Sequence, residues 1–319
     1  MRDNCVAAAD ADLGDAMNQD VRAPYYAELG RMSFSPGWAR PAPSLWPSPR
    51  PLFKPAVWRF AAAKASLDQA AEFVPVEQAE RRNLIMVNPI EGNGYATTRN
   101  IVAAYQMVKA GETAKSHRHS PAALRLVVEA KPGTYTIVNG ARVDMLPGDV
   151  VLTPSWSWHG HVNETDATSY WIDFLDVPFV QQTEAMFFEH HPDGLEKVVR
   201  SGATPMRIAA GEPLGSGNEA KIAEIAKDVL PTFALHFVRL PAGARADVAK
   251  TTTNHVYAVS KGSVRFTAEG GLDETLSVGD VIAVPCWHTH SYRAEGDAVI
   301  FRVSDAPLLE KLGLARTQA

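Results

Sequence analysis

The chain is short of every feature that would place it outside the ordinary folded proteins. Its two cysteines, Cys5 and Cys286, form neither a disulfide framework nor a CxxC pair, which fits a reducing cytoplasm. Basic runs are absent. With 31 basic and 36 acidic side chains the net charge is −5, so neither nucleic acid nor an anionic membrane is an expected partner. No apolar stretch approaches the ~18 residues that suggest a membrane span, and Met1-Arg2-Asp3-Asn4-Cys5 lacks a signal-peptide pattern. What remains is a cytoplasmic protein, 46% hydrophobic and 21% charged, with length enough for two cores of roughly 100–150 residues each.

The texture changes along the chain. Residues 1–80 read as an extension that packs on something larger. Ser33–Pro55 is proline-rich and carries Trp38 and Trp46, a composition for irregular extended chain; short helices are expected around Ala23–Gly30 and Ala61–Phe73. From Asn83 the pattern is all-β. Strand-like runs at Asn83–Val87, Ile101–Val108, Leu124–Glu129, Thr134–Val138, Asp149–Thr153 and Thr168–Phe174 are punctuated by Gly, Pro and Asn.

A repeat organises the rest. Gly148-Asp149 followed by Pro154-Ser155-Trp156 returns as Gly279-Asp280 and Pro285-Cys286-Trp287, and Ala110-Gly111 returns as Ala242-Gly243. Two copies of one β module are expected, over 81–182 and 232–319, joined by a linker over 183–231. In that linker Glu184–Phe188 and Ala220–Leu230 read as helical, around a Gly/Pro-rich connection at Gly211–Gly217.

The chemistry sits in one copy. His117 and His119 are one residue apart, so on a strand both point to the same face. A later strand brings back His159, closing a facial set of three nitrogen donors with the opposite side open. Three neutral imidazoles suit Fe, Zn, Cu or Ni, so ligand type alone selects none. In the second copy His159 is matched by His290, but His119 by Lys250, and His117 falls near Val248 or Ala249. One imidazole does not hold a divalent ion against water, so the second copy is expected to be structural and to form a subunit contact.

Alternation adds neighbours. If the His117–His119 strand ran on without a bulge, Arg125 would aim into the same cavity, where a guanidinium fork matches a carboxylate; a surface salt bridge is the other reading. His161 shares the face of His159 and is expected to act as an acid/base on the substrate rather than as a fourth ligand, or else to brace the site. Asp173, in an apolar strand, needs a buried partner, His161 or Arg125. It would orient the base or brace the barrel.

These patterns resemble the cupin superfamily, and their order along the chain resembles the gentisate 1,2-dioxygenase family of bicupins. Gly111, His117 and His119 match the first cupin motif; Gly148, Pro154, His159 and Asn163 match the second, with Trp156 in place of its usual glycine. Trp171-Ile172-Asp173, Val177-Pro178 and Phe301 to Pro307 extend the likeness. Many cupins add a glutamate ligand where this chain has Ala123 and Leu124, so the resemblance implies a three-histidine site. It implies two double-stranded β-helix (jelly-roll) barrels, Fe(II), an aromatic carboxylic acid and O2 as substrates, ring cleavage between C1 and C2 in aromatic catabolism, and a homotetramer. It places an arginine for the substrate carboxylate at Arg81 or Arg82, where spacing from His117 favours Arg81 with Arg82 its exposed neighbour, and a pocket residue at Gln106. Val102 stands where the family usually carries tryptophan, and Ala104 lies on the same face; the wider pocket implies a salicylate with a nitro, amino or halogen group at C5 as well as gentisate. An isomerase or a small-molecule sensor on the same scaffold is the alternative.

Overall fold

Side chains of the strand Val102–Val108 divide by parity. Ala103, Tyr105 and Met107 enter one large apolar cluster, while Val108 belongs to another. The strands beside it divide the same way. Leu124 and Leu126, Val150 and Leu152, and Tyr170, Ile172 and Phe174 face the large cluster; Val127, Val151 and Trp171 face the small one. A strand buried on both faces reads as a continuous apolar run, which is why all seven positions of Val102–Val108 are buried.

The computed structural model describes residues 22–39, 44–76 and 82–318. Two compact units divide the chain at Arg50 and Pro51. The first contains a helix over 22–31, close to the expected Ala23–Gly30, and Arg50 lies 5.0 Å over the Trp46 ring. The second unit holds two barrels. The first barrel sets a six-stranded sheet (Arg207–Ile208, Val150–Thr153, Ala123–Glu129, Ser169–Leu175, Val102–Val108, Arg82–Ile85) against a five-stranded one (Phe188–His190, Thr113–His119, His159–Asn163, Thr134–Val138, Ala141–Asp144). The second barrel repeats the plan with a six-stranded sheet (Ala56–Trp58, Val281–Val284, His255–Lys261, Ala298–Ser304, Ala234–Leu240, Lys221–Ile225) and a four-stranded one (Arg245–Val248, His290–Ala294, Ser263–Ala268, Leu272–Ser277). The two six-stranded sheets pack back to back: Tyr105, Leu126 and Phe174 of one share a cluster with Phe237, Val256 and Phe301 of the other. The fold is a bicupin.

Each barrel is closed at one edge by a strand that precedes its sister. Ala56–Trp58, ahead of the first barrel, pairs with Val281–Val284 of the second. Arg207–Ile208, ahead of the second, pairs with Val150–Thr153 of the first. The repeated Gly-Asp pair locks both exchanges. Asp280 accepts from the Phe60 amide at 2.9 Å and from Arg59 at 2.9 Å; Asp149 accepts from the Ala210 amide at 2.9 Å and from Arg207 at 2.7 Å. The preceding glycines, Gly279 at φ +85° and Gly148 at φ +83°, adopt a left-handed conformation, and a Cβ there would meet Phe60 at 2.6 Å and Ala210 at 2.9 Å. The sequence repeat therefore marks a reciprocal clasp.

The helices expected in the linker are not formed. Phe188–His190 and Lys221–Ile225 are edge strands, and the remaining helical turn is a 3-10 turn at Glu212–Leu214. Lys221–Ile225 pairs along its whole length with Ala234–Leu240, and Ala226 (φ 51°) and Asp228 (φ 66°) then turn the chain left-handed, which ends any helix. Sheet-edge hydrogen bonds override local helix propensity here. The helix Phe60–Ala70 forms close to the expected Ala61–Phe73, burying Phe60 and Leu67.

Candidate active site

The ligand set is built by two neighbouring strands of the five-stranded sheet. His117 and His119 lie on Thr113–His119, and His117 registers directly opposite His159 on the adjacent strand. One ligand atom from each of His117, His119 and His159 falls within 4.8 Å of the others, and all three residues are buried. Local hydrogen bonds choose the coordinating nitrogen. His119 Nδ1 lies 2.8 Å from the Pro121 carbonyl and His159 Nδ1 3.0 Å from the Ser157 carbonyl. A carbonyl accepts only, so Nδ1 carries the proton and Nε2 keeps its lone pair. Donors converging on one point, with Nε2 of His119 and His159 in the coordinating tautomer, fit a divalent metal. Phe188, on the edge strand from the linker, stacks on the His117 ring at 5.1 Å, and Arg118 behind the ligands lies 4.5 Å over both Trp156 and Trp158. No sequence signal marked Phe188, because its segment read as helix.

The facing sheet supplies a charged network. Asp173 registers between Arg125 and Ala104, and Arg125 Nε lies 3.1 Å from Asp173 Oδ1 with both side chains 1% exposed. Trp171 Nε1 donates to the same oxygen at 3.1 Å, the Gln106 amide donates to the other, and Arg125 Nη1 donates to Thr153 at 2.6 Å. Asp173 therefore finds Arg125 as a buried partner. His161, buried beside His159, has Nδ1 2.8 Å from Thr136 Oγ1, and its ring lies 5.0 Å from that of Trp171. That contact joins the two sheets across the lumen. Thr136 and Thr153 went unnoticed in the sequence because a buried threonine in a strand looks like ordinary β propensity.

Two expectations need correction. The strand of His117 and His119 does not run on to Arg125. It ends at His119, and after Pro121 the chain crosses to the other sheet as Ala123–Glu129. Arg125 reaches the lumen because it shares parity with Val127 there. Arg82 is not an exposed neighbour. It is 4% exposed and holds Glu112 through two bonds of 2.7 and 2.8 Å, with a third to the Val74 carbonyl. Burial pushes the Glu112 carboxyl up, but the Arg82 bonds and the Lys109 amide outweigh it and hold the group below the usual range. Arg81 lies outside the described residues. Val102 (6% exposed) and Ala104 (5%) share the parity of Gln106 on their strand.

A barrel with three inward imidazoles on one sheet and a buried ionic network on the other is a metal-binding cupin. The cupin-domain family model matches residues 104–175. The chain is 30% identical to a 5-aminosalicylate 1,2-dioxygenase of Comamonas sp, covering 96% of this chain and 92% of the relative. It is 32% identical to a gentisate 1,2-dioxygenase of Streptomyces sp, covering 92% and 94%. Among solved structures, a salicylate 1,2-dioxygenase of Pseudoaminobacter salicylatoxidans in adducts with gentisate superposes with a TM-score of 0.82 at 29% identity, over 94% of this chain and 93% of the other. The chain belongs to the gentisate/salicylate 1,2-dioxygenase family of ring-cleaving dioxygenases. No helix among the described residues is long and apolar enough to cross a membrane.

Proposed function

We propose that this enzyme uses Fe(II), held by His117, His119 and His159, to open gentisate or a 5-substituted salicylate (nitro, amino or halo) between C1 and C2. Both atoms of O2 enter the ring-opened product. The observation that carries the reading is the convergence of three buried imidazoles within 4.8 Å with no carboxylate among them. Iron bound there supplies a centre of full 2+ charge for the substrate's carboxylate and ortho-hydroxyl oxygens and for O2.

The protein's own groups do the rest. Arg125, held at Nε by Asp173 and at Nη1 by Thr153, fixes the substrate carboxylate in one orientation, and Arg81 is assigned a second cation's role by the family resemblance alone. Preorganising a guanidinium in this way cuts the cost of orienting the acid. With Nδ1 engaged by Thr136, His161 exchanges its proton with the ring hydroxyl at Nε2. Gln106 ties Asp173 to the pocket wall, while Val102 and Ala104 leave room beside the ring. Trp156 and Trp158 help keep water from the metal site. The enzyme works as a homo-oligomer, a tetramer as in the family it resembles; light scattering of the purified protein tests that.

Anaerobic loading with Fe(II), followed by O2 uptake and loss of ring absorbance across gentisate and 5-nitro-, 5-amino- and 5-chlorosalicylate, tests the reaction. Stoichiometric O2 uptake with ring loss is expected for at least one of them. Iron bound in stoichiometric amount with no ring loss across the series would refute the substrate class.

A further inference from the structure

The first barrel neutralises its buried Arg125 with Asp173; in the second, the half-buried Arg302 forms no ion pair among the described residues. Arg302 occupies the place in the second lumen that Asp173 holds in the first: Asp173 registers opposite Ala104, and Arg302 opposite His236. On the other side Tyr257 registers with Arg302 as Arg125 does with Asp173. The acid has become a base, and the guanidinium that faced it has become a phenol.

Around Arg302 lie His236, His255, His290, Tyr257 and Tyr292, each of which feels its charge. Among the described residues no carboxylate acts on any of the three imidazoles. Burial first, and Arg302 as well, push His236 and His290 down to about 4, so all three rings are neutral at physiological pH. The Tyr257 hydroxyl is 2.7 Å from His290 Nε2. Nε of Arg302 and Nδ1 of His236, His255 and His290 are buried without a hydrogen-bond partner among the described residues. A guanidinium drawn partly out of water, with its Nε buried and unpartnered among the described residues, is a ready partner for an anion. The lumen is graded rather than sealed: along one register row Glu224 is exposed, His236 and Arg302 are half-buried, and Tyr257 is fully buried.

We infer that the second barrel is an anion site, in which Arg302, flanked by His236 and His255, takes the carboxylate of a small organic acid. One guanidinium among neutral imidazoles suits a single planar negative charge, and its fork matches two carboxylate oxygens. Imidazole N–H groups and the Tyr257 hydroxyl complete the donor set. Glu224, at the solvent rim and one strand beyond His236, disfavours multiply charged anions.

The experiment is an acetate titration of the metal-loaded enzyme at constant ionic strength, read as the thermal unfolding midpoint, for wild type, Arg302→Met and His236→Asn. Wild type is expected to gain stability with acetate as for one saturable site. Arg302→Met should weaken that affinity at least ten-fold, and His236→Asn a few-fold. Equal acetate dependence in wild type and Arg302→Met would overturn the proposal. Benzoate in a parallel arm separates the sources: tighter, Arg302-dependent binding of benzoate assigns an aromatic acid, and tighter acetate binding assigns a short aliphatic one. Should Arg302→Met fail to fold, crystals of wild type grown with and without acetate decide. Planar density in hydrogen-bond reach of the guanidinium supports the site; a guanidinium contacting only water in acetate-soaked crystals rejects it.

Discussion

The two barrels share a chain trace and spend their interiors differently. Inside the first, the apolar cluster is Val108, Val127, Val138, Val143, Met145, Val151 and Trp171, and the remaining space belongs to the histidines and the Arg125–Asp173 network. Inside the second, Tyr257, Phe266, Tyr292 and Leu276 join nine further apolar residues. Where His117 registers opposite His159 in the first, Val248 registers opposite His290 in the second. The outer faces did not diverge in kind, because the six-stranded sheets must still bury one another. Duplication thus frees one lumen for metal chemistry while the other gives more of its interior to packing.

The sharpest way to break this contrast is to remove one histidine from each barrel. His159→Ala should lose stoichiometric metal and lower ring cleavage by at least ~1,000-fold, since a facial set of three cannot lose a donor and keep its geometry. His290→Ala should keep its metal. Metal analysis by mass spectrometry beside activity checks both; equal metal loss in the two variants would erase the functional asymmetry of the barrels.

Next in size is the charge pair. Asp173→Ala leaves the guanidinium of Arg125 buried at 1% exposure without its carboxylate, a change that costs about 3–5 kcal/mol. It should also weaken substrate binding, because Arg125 would no longer be held at Nε. Urea unfolding and substrate titration read the two effects separately. A destabilisation below ~1 kcal/mol would mean that Thr153, Trp171 and Gln106 hold the network without the ion pair.

Acid separates the barrels in a third way. His290 has a folded pKa of about 4 against an ordinary 6.5, because burial disfavours its charged form. Above pH 6.5 neither state binds the proton. As pH falls from 6.5 towards 4 the unfolded chain takes up a proton that the folded chain refuses, so stability is lost across that window and levels off below it. The loss amounts to about 3 kcal/mol at most. His290→Gln should flatten the profile relative to wild type. Asp176 works with the opposite sign: burial raises it to about 6 despite its bonds to the Ala122 amide and Thr232, so its protonation adds stability as pH falls through 6. Denaturant midpoints from pH 8 to 4 for wild type, His290→Gln and Asp176→Asn test both signs.

The metal site was legible because its signal is local. Period-two spacing of His117 and His119, and a Gly-Asp…Pro-x-Trp phrase that occurs twice, need no knowledge of tertiary contacts. The linker was illegible for the converse reason. Ala220-Lys221-Ile222-Ala223-Glu224-Ile225 carries helix formers, and only the edge of a sheet already built by Ala234–Leu240 makes it a strand. Arg125 was placed in the lumen by a continuous strand that does not exist; parity after Pro121 restores the same face by a different route. The exchange of Ala56–Trp58 and Arg207–Ile208 between barrels left no trace in either segment. Its trace lies in the duplicated glycine and aspartate that receive them.

The smallest expected effect concerns the two tryptophans of the repeat. Trp156 (φ 64°) and Trp287 (φ 63°) both hold a left-handed backbone that glycine would adopt freely, at a cost of roughly 1–2 kcal/mol for a residue with a Cβ. Trp287 makes no ring contact among the described residues, so Trp287→Gly should raise stability by up to ~1 kcal/mol. Trp156 offsets its strain: its ring lies 4.5 Å beneath Arg118 and 5.2 Å from Phe187, contacts worth about 0.5–1 and 0.5–1.5 kcal/mol. Its amide also bonds the carbonyl of His119 at 2.9 Å. Trp156→Gly should therefore be neutral or destabilising by up to ~1 kcal/mol, with metal affinity reduced a few-fold as the Arg118 brace behind His117 and His119 loosens. If both glycine variants stabilise equally, the stack behind the ligands contributes nothing, and left-handed tryptophan at this turn is a relic of the duplication rather than a support of the metal site.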